Sequence, residues 1–181
     1  PRIQSIGEGT ERVEEDVKRL FPGASVVRLD GDTMKRPAQA EALRPFVAGS
    51  AQALRAARAD RPFVLALWSL TCSHCQEELA LLGRLRVKYP ALDVVLVSTD
   101  APEDAAALSA TLARHGLTRT EAWVFADPFT EILRQEIDPR WSGELPRTYL
   151  HNRDRSVRAV SGRLPAEKLE RWIVEQYGPA R

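Results

Sequence analysis

From residue 61 onward the apolar positions change period repeatedly, and each change predicts an element. "RPFVLALWSL" (61–70) is apolar on both faces over strand length, the pattern of a central strand covered on both sides. Residues 73–88 shift to helical spacing, with Leu79, Leu82, Leu85 and Val87 on or near one side, and Pro90 ends the run. "LDVVLVSTD" (92–100) predicts a second buried strand. Residues 102–116 form a helix with acidic residues first and Gly116 at its stop. "AWVFAD" (122–127) is a third strand and "FTEILRQEI" (129–137) a short helix. "RTYLHN" and "SVRAVSG" flank "RDR" as a hairpin, and residues 165–177 close the chain as an amphipathic helix with Leu169, Trp172 and Ile173 inward. Upstream, Ser50 is placed to cap an Ala-rich helix over 51–59, after a lead-in, "KRPAQAEALRPF", that contains Pro and Ala. Strands alternating with helices predict an α/β fold: a mixed sheet with helices on both faces.

Residues 1–36 differ in character and are read as an appended helix–strand segment, with one domain over 37–181. Thr10 is placed to cap a helix from Glu11 to Leu20 whose early acidic residues suit the positive end of the helix dipole. "FPG" (21–23) stops it, "SVVRLD" (25–30) is a short strand, and "GD" (31–32) a turn.

Composition narrows the function classes. A net charge of +1 gives no bulk attraction for nucleic acid or an anionic membrane. No apolar run approaches the roughly 18 residues a bilayer span requires. No signal peptide is present, but the chain begins at Pro1 rather than Met, so this says nothing about compartment. Two cysteines cannot build a multi-bridge scaffold, nor a four-ligand zinc site without His or carboxylate help.

Both cysteines lie in "WSLTCSHCQEEL" (68–79), Cys72 just after the first buried strand and Cys75 in the first turn of the next helix. Unpaired N–H groups and the helix dipole stabilise a thiolate there, the attacking species in disulfide exchange. With two residues between them, one sulfur can attack a partner and the other resolve the mixed disulfide. His74 between them either stabilises the Cys72 thiolate as an imidazolium or is a solvated turn residue. Trp68 lies beneath or beside the sulfurs or simply fills the core. Two alternatives stay open: a copper or zinc module using the pair with a histidine, and a structural bridge. His115 and His151 lie far off in sequence and are expected at the surface.

Residues 60–178 resemble the thioredoxin superfamily, most closely its TlpA-like branch of extracytoplasmic thiol–disulfide oxidoreductases. The residues that carry the resemblance are Trp68, Cys72, Cys75 and the helix beginning "QEEL". It implies a thioredoxin-like fold whose segment around 102–127 is an extra strand–helix insertion. It also implies Cys72 as the nucleophile, Cys75 as the resolving thiol, and Glu78 tuning both as in reductive members, unless Glu78 is merely an exposed helix residue. "GELPRTYL" (143–150) matches the family's cis-proline loop, which implies a cis Leu145–Pro146 bond, Leu145 and Pro146 as substrate contacts, and a proline that blocks metal-clamp geometry. The implied partners are cysteine-containing proteins and a redox partner protein, with no cofactor, metal or nucleic acid, in the periplasm or otherwise outside the cytoplasm. One departure stands out: thioredoxins of the cytoplasm carry a buried Asp six residues before the first cysteine, where this chain has Ala66. The proton acceptor for Cys75 must then be another group, such as Glu78 or water. Ser73–His74 leans toward an oxidising potential and Glu78 toward a reductive one.

The stretch "IGEGTERVEEDVKRLFPGASVVRLDGDTM", within residues 3–34, resembles part of the second helicase lobe of the bacterial primosome-assembly helicase. The chain has no GxxxxGK[ST] phosphate loop and no zinc-binding cysteine cluster, so this piece cannot carry helicase activity and is read as foreign to the domain that follows.

Overall fold

The computed structural model describes residues 43–180; the helix expected at Glu11–Leu20 and the strand expected at 25–30 lie outside the described residues. In chain order the elements are β1 (Arg44–Phe46), α1 (Ser50–Ala56), β2 (Phe63–Trp68), α2 (Ser73–Lys88) and β3 (Val94–Ser98). A 3-10 turn (Pro102–Asp104) leads into α3 (Ala105–Arg114), followed by β4 (Glu121–Phe125), α4 (Thr130–Ile137), β5 (Arg147–His151), β6 (Val157–Ser161) and α5 (Ala166–Tyr177).

The strands form one mixed sheet in the order β1-β4-β3-β2-β5-β6. The first four run parallel, β5 is antiparallel to β2, and β6 is antiparallel to β5. The carboxyl ends of β1 to β4 therefore meet the amino end of β5 at one pole of the sheet.

All six residues of β2 are buried, because its two faces feed two cores. Val64, Ala66 and Trp68 pack with Leu79 and Leu82 of α2, Leu108 of α3, and Leu169 and Trp172 of α5. Phe63, Leu65 and Leu67 pack on the opposite face with Leu54 of α1 and Leu133 of α4. This is the period of two of an extended chain, filled with apolar residues on both sides.

Several expectations are corrected. The lead-in before residue 47 contains β1: three residues are too short to show a period, yet Phe46 is fully buried and stacks on Phe125 at 5.6 Å. Ser50 is the first residue of α1 rather than its cap; Gly49 precedes it at φ 86°, and the Ser50 hydroxyl accepts instead from the Val47 N–H at 3.0 Å. Val87 is 83% exposed, so the inward stripe of α2 is Cys75, Glu78, Leu79, Leu82, Gly83 and Leu85. Gly83 belongs to that stripe because a Cβ there would lie 2.0 Å from the His115 carbonyl oxygen.

Candidate functional site

The pole where the parallel strands end holds the two cysteines. β2 ends at Trp68, and α2 begins at Ser73 with Cys72 as its cap. Cys72 and Cys75 form a disulfide. The Cys72 Sγ accepts from the Cys75 N–H at 3.1 Å, so the sulfur itself satisfies one of the free donors of the first helical turn. A sulfur in this position is stabilised further when it becomes a thiolate. The two cysteines are unequal: Cys75 is fully buried, whereas Cys72 is half-buried at the edge of the same core.

The short loop before Cys72 is held by a group that sequence reasoning missed. Asp100, two residues beyond β3, accepts from the Ser69 hydroxyl at 2.8 Å and the Leu70 N–H at 3.0 Å. It also accepts from the Ser98 hydroxyl at 2.6 Å. These bonds fix the three-residue approach to Cys72 against the neighbouring strand. In sequence Asp100 reads only as a polar residue ending an apolar run.

The Leu145–Pro146 peptide bond is cis. β2 and β5 pair with Leu67 opposite Arg147, so one further step of the register sets Pro146 opposite Trp68, at the cysteine pole. Leu145 and Cys72 both pack at the margin of the same apolar core. The loop carrying this bond is clamped from behind. Arg147 donates to Asp138 at 2.8 Å, to Glu144 at 3.3 Å and to the Tyr149 hydroxyl at 3.1 Å. The Trp141 indole donates to the Glu144 carbonyl at 2.8 Å. None of Asp138, Trp141 or Arg147 was expected from the sequence, although the clamp lies wholly within residues 138–149: the polar residues of this stretch show no period that marks them as partners.

Glu78 is buried, only 5% exposed, which overturns its reading as an exposed helix residue. One carboxyl oxygen accepts from the Thr148 hydroxyl and the other from the Leu164 N–H at 3.3 Å. Burial pushes the Glu78 carboxyl above its ordinary value, and these two hydrogen bonds offset part of that effect. Thr148 lies directly opposite Ala66 in the β2–β5 register. A carboxyl from α2 thus lies over the strand pair where Ala66 leaves no side-chain acid. Cys75 and Glu78, three residues apart, share the inward face of the helix. A cleft of about 360 Å³ lined by Glu78, Arg84, Arg163 and Leu164 opens beside that carboxyl.

Trp68 is 2% exposed and packs in the core that contains Cys75; its indole N–H has no hydrogen-bond partner among the described residues. The His74 ring is exposed and leans toward Glu77, 3.9 Å away. Neither other histidine is a free surface residue: His115 pairs with Gln76 at 3.1 Å, and His151 stacks on Phe63 at 4.0 Å. Burial, with the charge of Arg55, pulls the His151 pKa down to about 4. Among the described residues no group of three or more His, Cys, Asp and Glu side chains is arranged to hold a metal ion. Among the same residues no helix is long and apolar enough to cross a membrane.

A cysteine pair at a strand–helix junction, set on a mixed sheet with a cis-proline strand beside it, defines a thioredoxin-like fold. Solved structures agree. A secreted Mycobacterium tuberculosis disulfide oxidoreductase homologous to E. coli DsbE is similar over 66% of this chain and 85% of its own, with 20% identity and a TM-score of 0.55. A putative thiol:disulfide interchange protein DsbE from Chlorobium tepidum is similar over 67% of this chain and 83% of its own, at 24% identity and a TM-score of 0.50. A DsbF homologue from Corynebacterium diphtheriae is similar over 67% and 75%, at 17% identity and a TM-score of 0.51. No protein-family model and no curated protein sequence matches the chain.

Proposed function

We propose that this chain is a thiol–disulfide oxidoreductase that exchanges the Cys72–Cys75 disulfide with cysteines of other proteins, in the manner of the TlpA-like branch. The observation that carries the reading is the asymmetry of the pair: a half-buried Cys72 capping α2, ahead of a fully buried Cys75. An accessible, dipole-stabilised sulfur suits attack, and a shielded one suits resolution.

In the reductive direction the Cys72 thiolate attacks one sulfur of a partner disulfide. A mixed disulfide forms and one partner thiolate leaves. Cys75 loses its proton and attacks Cys72 Sγ, which releases the second partner thiolate and closes the internal disulfide. Two electrons pass to the partner, and two protons complete its dithiol; the opposite direction reverses each step. Glu78 takes the Cys75 proton, because it is the carboxyl on the same helix face and burial already favours its protonated form. His74 lowers the Cys72 pKa by its charge. Leu145 and Pro146 line the groove in which an extended partner backbone pairs, and Trp68 forms its floor from within the core.

The site of action in this reading is outside the cytoplasm, in line with the secreted character of the Mycobacterium tuberculosis neighbour. Residues 37–181 form the working domain and residues 1–36 an appended segment with no part in the exchange. Reduction of insulin disulfides by dithiothreitol tests the activity: the wild type accelerates it, and Cys72→Ala and Cys75→Ala do not. Equal rates in wild type and Cys72→Ala overturn the reading.

A further inference from the structure

At the pole opposite the disulfide, a second cleft of about 360 Å³ lies where α1 ends and β2 begins. Five steps of β2 separate Phe63, in its wall, from Trp68, an axial distance of about 16 Å. Arg55, Arg58, Arg61, Arg155 and His151 line it with Phe63, and no Asp or Glu does. Two of the arginines are already neutralised: Arg58 by Asp93 and Glu121, and Arg155 by Asp60 at 3.0 Å. The Arg155 pair is weak, with side chains 74% and 84% exposed, so its guanidinium is available to a better partner. Arg55 and Arg61 meet only backbone carbonyls among the described residues: Arg55 donates to Glu136 at 2.9 Å and Arg61 to Ala57 at 3.4 Å. The positive charge of the cleft that no carboxylate pairs is therefore that of Arg55 and Arg61, with Arg155 held only by an exposed pair.

A backbone feature points the same way. Arg155 sits at φ 69°, a left-handed conformation in which Cβ crowds the backbone and which Gly or Asn adopts more readily. The turn from Asn152 to Ser156 holds it there, so that its guanidinium spans from the β5–β6 turn to Asp60 after α1.

We propose that this cleft binds a small phosphate-bearing anion, gripped by Arg55, Arg61 and Arg155. The planar guanidinium fork matches two oxygens of a phosphate at once, and three such forks around one concavity suit a diphosphate better than a single carboxylate. The volume lies at the lower end of small-molecule sites, which fits a diphosphate group with little attached. This inference does not rest on the redox reading, because none of these residues lies at the cysteine pole.

The test titrates the full chain with inorganic pyrophosphate and, separately, with a nucleoside diphosphate. Calorimetry gives affinity and stoichiometry, and NMR follows the three histidine rings. Expected is one saturable site whose occupation shifts His151 while His74 and His115 stay still. Arg61→Gln and Arg155→Gln, at exposed positions whose replacement leaves the core intact, each weaken it by at least about tenfold. Tighter binding of the nucleotide assigns the phosphate to a nucleotide, and tighter binding of pyrophosphate assigns it to the free anion. No saturable binding, wild-type affinity in both variants, or shifts spread over all three histidines each overturn the proposal.

Discussion

Thr148 donates a hydrogen bond to the Glu78 carboxyl from the position directly opposite Ala66. The strand that leads to Cys72 carries no side-chain acid at this position, and the helix that follows supplies one over the same strand pair. The carboxyl is held by a hydroxyl and one backbone N–H, in a setting whose burial favours the neutral form.

Glu78→Gln tests both consequences. Burial raises the folded pKa above the unfolded value of about 4.3, so the stability Glu78 contributes is complete below that value and is lost as pH rises through its folded pKa. The amide can bond Leu164 through its oxygen and Thr148 through its nitrogen without titrating. Denaturant melts across pH are expected to show the variant gaining on wild type as pH rises through this range, with the advantage fading in acid. The same variant slows the resolving step by about a hundredfold or more, the scale of a lost general base, read as accumulation of mixed disulfide in single turnover.

Asp100→Ala removes the acceptor for Ser69, Leu70 and Ser98 at once. Leaving these donors unpaired costs about 1–3 kcal/mol. A purely structural role stops there. A positioning role also shifts the thiolate titration of Cys72, followed by absorbance in the reduced protein, and Asp100→Asn restores part of it.

His74→Pro is expected to raise the Cys72 pKa and lower the reduction potential. Position 74 lies in the first turn of α2, where a proline removes no helical hydrogen bond. Exposure and the nearby Glu77 keep the change within about one pH unit. An unchanged titration rules out the charge of His74 as a tuning element.

Gly83→Ala places a Cβ 2.0 Å from the His115 carbonyl oxygen, a backbone atom that cannot swing aside. Separating α2 from that turn costs about 1–3 kcal/mol, seen as a lower Tm by several degrees. Cys72 chemistry is expected to survive in the folded fraction.

What was legible in the sequence was what depends on period and local chemistry. The both-faced apolar run of β2, the amphipathic α5 and the cysteine pair at a strand–helix junction need no distant information. Two features were hidden for a common reason. β1 is held by pairing with β4, some eighty positions away. Asp100 gains its meaning only when β3 lies beside β2. In each case the partner is set by sheet topology, which no local window contains. The burial of Glu78 was undecided for the same reason, since Thr148 and Leu164 cover it from 70 and 86 residues away.

Trapping separates the roles of the two cysteines. Reduced Cys75→Ala protein is mixed with an oxidised, disulfide-containing protein substrate, and the adduct is mapped by mass spectrometry. Expected is a stable mixed disulfide through Cys72, absent from Cys72→Ala and resolved in wild type within a single turnover. An adduct that forms as readily through Cys75 in Cys72→Ala, or no adduct in either variant, contradicts Cys72 as the attacking thiol and Cys75 as the resolving one.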